Sequence, residues 1–368
     1  MRRLLFSLLA LVTLSVSAQD GQLTGSGYYR VQNVSSGRYI SIVDTYAYIS
    51  NTGSDWDLKA FQMLTDFEDY VAYNPATICY FQQISGSTYN LSGQDLNLYQ
   101  KTGYFLNVGK LATGYELSGK AHGVTKFLSD YTNGGQTYPS FKGNKIQWYI
   151  LPVNQTDNQY FGVKADIKST IDFTVKYWTT MKAGFPYQTS DDNATKMYRV
   201  KEIRNCYAII EEITTGVKAG SCILFECKSN SPSDNKLTIL SNPESGSSVG
   251  TNLLKGAYFC NTTPGNHFAA TAYDANTMRV LGLTEDGRPA FVKSDISYIP
   301  ANSCYLPVPE SAPDVLPIVT EEEYLTGIEE ISTPRTNEPK VIYDLQGRRV
   351  TTPQKGLYII NGKKVVIK

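Results

Sequence analysis

Two histidines, His122 and His267, are all the imidazole in this 368-residue chain. A serine or cysteine hydrolase ordinarily uses one as its general base. Both fall in turn-like loops, in Gly119-Lys120-Ala121-His122-Gly123 and just after Pro264-Gly265-Asn266. Gly246-Ser247-Ser248-Val249-Gly250 fits the Gly-x-Ser-x-Gly pattern, which exposes its serine only on a strained strand-to-helix turn. Polar sequence precedes it and β-forming sequence follows, so no nucleophile elbow is expected. Cys222 and Cys227 enclose four residues, with no second pair or histidine at zinc spacing. Asp191-Asp192-Asn193 lacks the regular oxygen ladder of a dedicated calcium loop. A glycosidase needs two acids close in space, from any two strands. Glu211 and Glu212 alternate faces of one strand, however, and Glu321-Glu322-Glu323 reads as a solubilising run. No glycine loop that cradles phosphate occurs. These residues predict a non-enzymatic chain with no catalytic set, no metal and no cofactor. A carboxylate-based glycoside hydrolase stays as the outlying alternative.

The elements that must position any site begin with a segment for export. Arg2 and Arg3 precede an apolar run over residues 4–14, and Val16-Ser17-Ala18 supplies the small residues of a cleavage site. Cleavage is predicted between Ala18 and Gln19, giving an exported chain, secreted or at the cell surface. The apolar run is too short to span a bilayer, and no later one is long enough, so no transmembrane segment is expected in the mature chain. Losing Arg2 and Arg3 takes 34 Lys+Arg to 32 against 34 Asp+Glu, a net charge of −2 with histidine neutral. That balance, without basic stripes, argues against nucleic acid as a partner. The 27 tyrosines, with frequent Thr and Val between Gly and Asn turns, predict a mainly β chain. Six cysteines suit one or two disulfides in an exported protein. Cys222, Cys260 and Cys304 lie in apolar strand-like runs, where a free thiol packs as a small hydrophobe. Spacing assigns no pairing among the six.

Gly27-Tyr28-Tyr29-Arg30-Val31-Gln32-Asn33, a Ser-Gly turn, and Tyr39-Ile40-Ser41-Ile42 read as strand, turn, strand. Echoes follow at Tyr89-Asn90-Leu91-Ser92-Gly93 and Tyr115-Glu116-Leu117-Ser118-Gly119, with a closing strand at Ile146-Gln147-Trp148-Tyr149-Ile150-Leu151. This resembles a ricin-type β-trefoil lectin over residues 19–155, although Gln147 and Trp148 are adjacent where the family has Gln-x-Trp. Trp56, Ala60, Met63, Phe67 and Tyr70 recur at helical steps, predicting a helical insertion in that unit. The resemblance implies glycan or host-matrix glycoconjugate binding, with Asp44 and Tyr46 after the second strand as the candidate ligand-binding residues. Their alternative reading is a turn aspartate with a half-buried ring.

Ala219-Gly220-Ser221-Cys222-Ile223-Leu224 and Ile299-Pro300-Ala301-Asn302-Ser303-Cys304-Tyr305-Leu306 mark strands of a second unit, residues 156–308, predicted as a β-sandwich. Their order resembles a β domain of exported Bacteroidales proteins. Residues 309–326, rich in Pro and Glu, read as a linker. In the tail, residues 327–368, Asn361-Gly362 sits between two apolar alternating runs, a strong hairpin signal. With Gly356-Leu357-Tyr358 and the closing basic residues, this small β module resembles the type IX secretion tail of Bacteroidota surface proteins. The likeness implies Gly356, Tyr358, Lys364 and Lys368 as sorting residues and the secretion machinery as a partner. A structural or adhesive surface protein without a sugar site is the rival reading.

Overall fold

The computed structural model describes residues 23–43, 61–64, 70–97, 106–121, 124–154, 159–171, 173–190, 195–262, 270–325, 342–344, 348–350, 356–360 and 363–367. The chain is mainly β, as its composition predicts. Twelve strands make the first half: β1 (Gly27–Asn33), β2 (Tyr39–Ile42), β3 (Phe61–Leu64), β4 (Cys79–Ser85), β5 (Thr88–Gly93) and β6 (Leu96–Asn97), then β7 (Leu106–Lys110), β8 (Tyr115–Ala121), β9 (Val124–Phe127), β10 (Ser129–Asn133), β11 (Gln136–Ser140) and β12 (Gln147–Pro152).

Six of these strands close on themselves. β1 pairs antiparallel with β4, β4 with β5, β5 with β7, β7 with β8, β8 with β12, and β12 returns to β1. Closure leaves no edge among the six. The period-2 pattern of each strand decides what fills the ring. Tyr29 and Val31, Cys79 and Phe81, Tyr89 and Leu91, Leu106 and Val108, Tyr115 and Leu117, and Trp148 and Ile150 all join one buried cluster. The largest of them, Trp148, donates its indole N–H to Leu128 O at 2.9 Å, so its one polar atom is satisfied. The remaining strands leave the ring as excursions: β2–β3 between β1 and β4, β6 between β5 and β7, and β9 with the β10–β11 hairpin between β8 and β12.

Arg30 lies on the other face of β1 and is fully buried. Its guanidinium donates to Thr77 Oγ1 (3.2 Å), Gln159 O (2.7 Å) and Val71 O (3.2 Å), which offsets its desolvation and fastens two 3₁₀ turns, Val71–Tyr73 and Pro75–Thr77, to the ring.

The helical insertion is corrected where the structure describes it. Met63 sits in β3, opposite Ile40 of β2, and Tyr70 directly precedes a 3₁₀ turn. Trp56, Ala60 and Phe67 lie outside the described residues. The free edge of β2 supplies backbone partners to this segment, and a ladder there outweighs a local stripe at helical spacing.

The second half contains β13 (Phe161–Gly162), β14 (Ile167–Ile171), β15 (Thr174–Lys182), β16 (Tyr187–Thr189), β17 (Lys196–Arg204), β18 (Tyr207–Ile213) and β19 (Cys222–Cys227). It continues through β20 (Lys236–Ile239), β21 (Lys255–Gly256), β22 (Met278–Leu283), β23 (Pro289–Val292), β24 (Cys304–Pro307) and β25 (Val315–Thr320). Ten form one sheet in the order β14-β15-β19-β17-β18-β25-β23-β22-β24-β21, and β13-β20-β16 form a smaller one. The large sheet curls until β15 meets β24, where Cys304 N donates to Thr180 Oγ1 at 2.9 Å and Lys182 N to Asn302 O at 2.9 Å. β19 divides its side chains between two cores. Ile223, Phe225 and Cys227 pack with Phe161, Phe185 and Leu237, while Leu224 packs with Trp178, Phe291 and Leu316.

The linker expected at residues 309–326 is also corrected. Residues 315–320 form β25, inside the large sheet, parallel to β18 and antiparallel to β23. Leu316 and Ile318 alternate into the core, which is the physical reason the segment is held. Buried Arg279 clasps the chain just before it, donating to Ala312 O and Pro313 O at 3.1 and 2.9 Å.

Residues of the two halves share cores: Tyr258 and Phe259 complete the ring's cluster, and Tyr28 and Ile78 enter that of the small sheet. Met1–Glu321 make one compact unit and Glu322–Lys368 a second. Within the second, β26 (Ile342–Tyr343), β27 (Gly356–Ile360) and β28 (Lys363–Ile367) form an antiparallel sheet. No helix among the described residues is long and apolar enough to cross a membrane.

Candidate functional site

Asp44, Tyr46, Ala18, Gln19, Lys368, His122, His267 and the Asp191-Asp192-Asn193 loop lie outside the described residues. The other tail positions share one hairpin: Gly356 pairs with Ile367, Tyr358 with Val365, and Lys364 with Ile359. Ser247 belongs to no strand-to-helix turn. Its N–H donates to Gly216 O at 2.8 Å, and it bridges Val217 in a loop laid along the chain. Cys222 and Cys227 are five positions apart on β19 and so face opposite sides of the sheet. Among the described residues no three ligating side chains cluster for a metal. Glu211 and Glu212 separate as expected, Glu211 to Arg199 at 2.9 Å and Glu212 to Lys196 at 3.2 Å. Asp274 and Glu321 both have carboxyls held below the usual range, by backbone and side-chain donors and by Arg204 respectively. A general acid needs the opposite displacement.

Two polar constellations stand out. The first anchors the ring's excursions to one another. Asp130 is buried and receives a bidentate Arg38 fork at 2.8 and 2.7 Å, plus the Ser36 hydroxyl. Asn33, fully buried, accepts from Ser35 N and Ser36 N at 3.1 Å each and donates to Lys145 O at 2.8 Å. Every strong group here is spent internally, so this is a clamp.

The second constellation lies where the ring meets the large sheet. The register of Gly93 with Leu96 leaves Gln94 and Asp95 as a two-residue turn, both at positive φ (55° and 62°). That turn drives Gln94, 1% exposed, against Asn302. Their amides exchange two hydrogen bonds, 3.1 and 2.8 Å, and Asn302 Nδ2 also donates to Lys182 O at 2.8 Å. Gly184 permits the approach, since a β-carbon there would lie 2.6 Å from Gln94 N.

β15 thereby presents Lys182 to β19, β21 and β24. Its Nζ donates to Gly256 O at 3.2 Å and lies 4.3 Å from the centroid of the Tyr258 ring. The Cys222 and Cys304 thiols converge beside it, where a β-carbon on Gly256 would lie 3.1 and 3.2 Å from their sulfurs. The Cys304 hydrogen bond and the Lys182 charge hold the Cys222 thiol below its ordinary value against the opposing effect of burial. Burial pushes Cys304 up. Burial alone pushes Cys79 up to about 12, the behaviour of an inert core thiol. Tyr187, fully buried, has a hydroxyl without a hydrogen-bond partner, and burial followed by the two thiols raises it well above an ordinary phenol. The Tyr258 hydroxyl also lacks a partner in hydrogen-bond geometry. Burial, then the nearby Asp95 carboxylate, keeps it protonated.

No family model, curated protein or solved structure matches the chain. The site therefore rests on its own chemistry: one thiol held below its ordinary value, one pushed above it, and a lysine beside them. The sequence leaves both cysteines open between small packed hydrophobes and members of a disulfide whose pairing spacing does not assign. Nothing in their separation of more than eighty residues signals contact, which arises only when the sheet curls.

Proposed function

We propose that the protein is an exported, non-enzymatic binding protein whose first half contacts carbohydrate, and that this half is a ricin-type β-trefoil. The observation that carries the reading is the closed ring of six strands with three excursions, each leaving between successive ring strands. The recurring Tyr-rich strands at Tyr29, Tyr89 and Tyr115 support reading that plan as one unit repeated three times. Sugars are held by polar groups beside an exposed ring. Asp44 and Tyr46 are the proposed pair, and the β10–β11 hairpin offers another, half-exposed Tyr131 next to exposed Asn133 and Gln136. A glycan-array screen tests this. Selective binding supports a lectin, and silence across the array favours a structural spacer, a reading that the internally spent Arg38–Asp130 clamp supports.

The second half is proposed as a β-sandwich, on the strength of β19 facing two cores. The tail is proposed as a type IX sorting module. Its support is the register of Ile360 with Lys363, which leaves two residues, Asn361 and Gly362, to connect β27 and β28.

A further inference from the structure

We propose that Cys222 and Cys304 close a reversible intramolecular disulfide, formed by exchange with a small disulfide oxidant, that ties β19 to β24 across the curl of the large sheet. The inference rests on the thiol geometry and is independent of the glycan reading. Both thiols are free in the structure. They converge on the bare Cα of Gly256: a β-carbon there would lie 3.1 Å from Cys222 Sγ and 3.2 Å from Cys304 Sγ. Gly256 pairs with Cys304 across β21 and β24, and Cys222 pairs with Lys182 across β19 and β15, so backbone ladders fix both cysteines. Two sulfurs gathered against one Cα are placed for side-chain rotation to carry them toward a disulfide's bonding distance of about 2 Å.

The surroundings divide the roles. Cys222 is half-buried and close to Lys182, which stabilises a thiolate, whereas Cys304 is 3% exposed. Cys222 is therefore the attacking sulfur and Cys304 the resolving one. The Cys222 thiolate attacks the oxidant RSSR, forming Cys222–S–S–R and releasing RS⁻. Cys304 then loses its proton, attacks the Cys222 sulfur and expels a second RS⁻. Two thiols are oxidised, one RSSR is reduced to two RSH, and no other reactant is required. Cys227 is a poor competitor: it lies on the opposite face of β19, and burial pushes its thiol up to about 12.

The test uses the full chain, reduced, freed of reductant, and incubated near neutral pH with oxidised glutathione. Remaining thiols are blocked with N-ethylmaleimide before digestion and mass spectrometry without reductant. The expected product is the Cys222 peptide joined to the Cys304 peptide, with the loss of two hydrogens. In a Cys304→Ser variant, Cys222 is expected to retain one glutathione as a stalled mixed disulfide. The proposal is overturned if both peptides of the unmutated chain carry maleimide after oxidation, or if Cys222 is joined to any other cysteine. Because the deciding readout comes from the unmutated chain, a variant that fails to fold does not blunt it.

Discussion

Asp130 shows how one residue's surroundings separate structure from recognition. A carboxylate beside arginine and serine on a β hairpin resembles a sugar-binding acid by composition, yet this one is buried and fully engaged. Asp130→Ala should therefore leave any glycan binding of the folded chain intact while destabilising it by about 3 kcal/mol, the low end for breaking a buried ion pair, because Arg38 keeps some access to water. Urea unfolding would check this, and a loss under about 1 kcal/mol, the value of a surface pair, would reassign the clamp to the surface. Asp274 gives a pH prediction. Its carboxylate accepts from Asn276 N (2.9 Å) and Thr277 Oγ1 (2.8 Å) at the turn into β22. These donors depress its folded pKa, so its stabilisation is present above the unfolded value and is lost as pH falls through the folded one. Asp274→Asn should accordingly lower the melting temperature at neutral pH and have little effect in strong acid; equal effects at both would refute this linkage. At this scale the sequence was a poor guide. Cys222 and Cys304 carry no local sign of each other, whereas Glu211 and Glu212 were separable by strand alternation alone.

Elements were legible where alternation was regular. Thr88–Gly93 reads polar and apolar by turns, and its buried residues follow that period. The tail hairpin followed from Asn361-Gly362 and its flanks. Two segments were misread for a common reason: local pattern competes with a sheet edge that only the fold supplies. Residues 61–64 answer to β2, and residues 315–320 to β18 and β23, despite the prolines around them. The Gln94 turn offers a test of how tightly elements dock. Gly184→Ala would place a methyl group 2.6 Å from Gln94 N and 2.7 Å from its Cα, both backbone atoms. A loss of about 2 kcal/mol in denaturant unfolding is expected from such overpacking. A neutral result would mean that the turn does not seat against β15 in solution.

On the scale of the whole molecule, the described residues of the first compact unit are bound by shared cores, and β26, β27 and β28 form the small sheet of the second. Proposed sorting belongs to that second unit. Deleting residues 327–368 in the producing cell should retain the protein in the periplasm, and unchanged surface display, followed by fractionation and immunoblotting, would remove the sorting role. One glycan array decides whether the ring of six strands serves to bind carbohydrate. It compares the unmutated chain with Asp44→Ala and Tyr131→Ala. Selective binding by the unmutated chain is expected, and at least one of the two variants should lose it while still folding. Silence from the unmutated chain on every glycan, with the fold verified by circular dichroism, would contradict it.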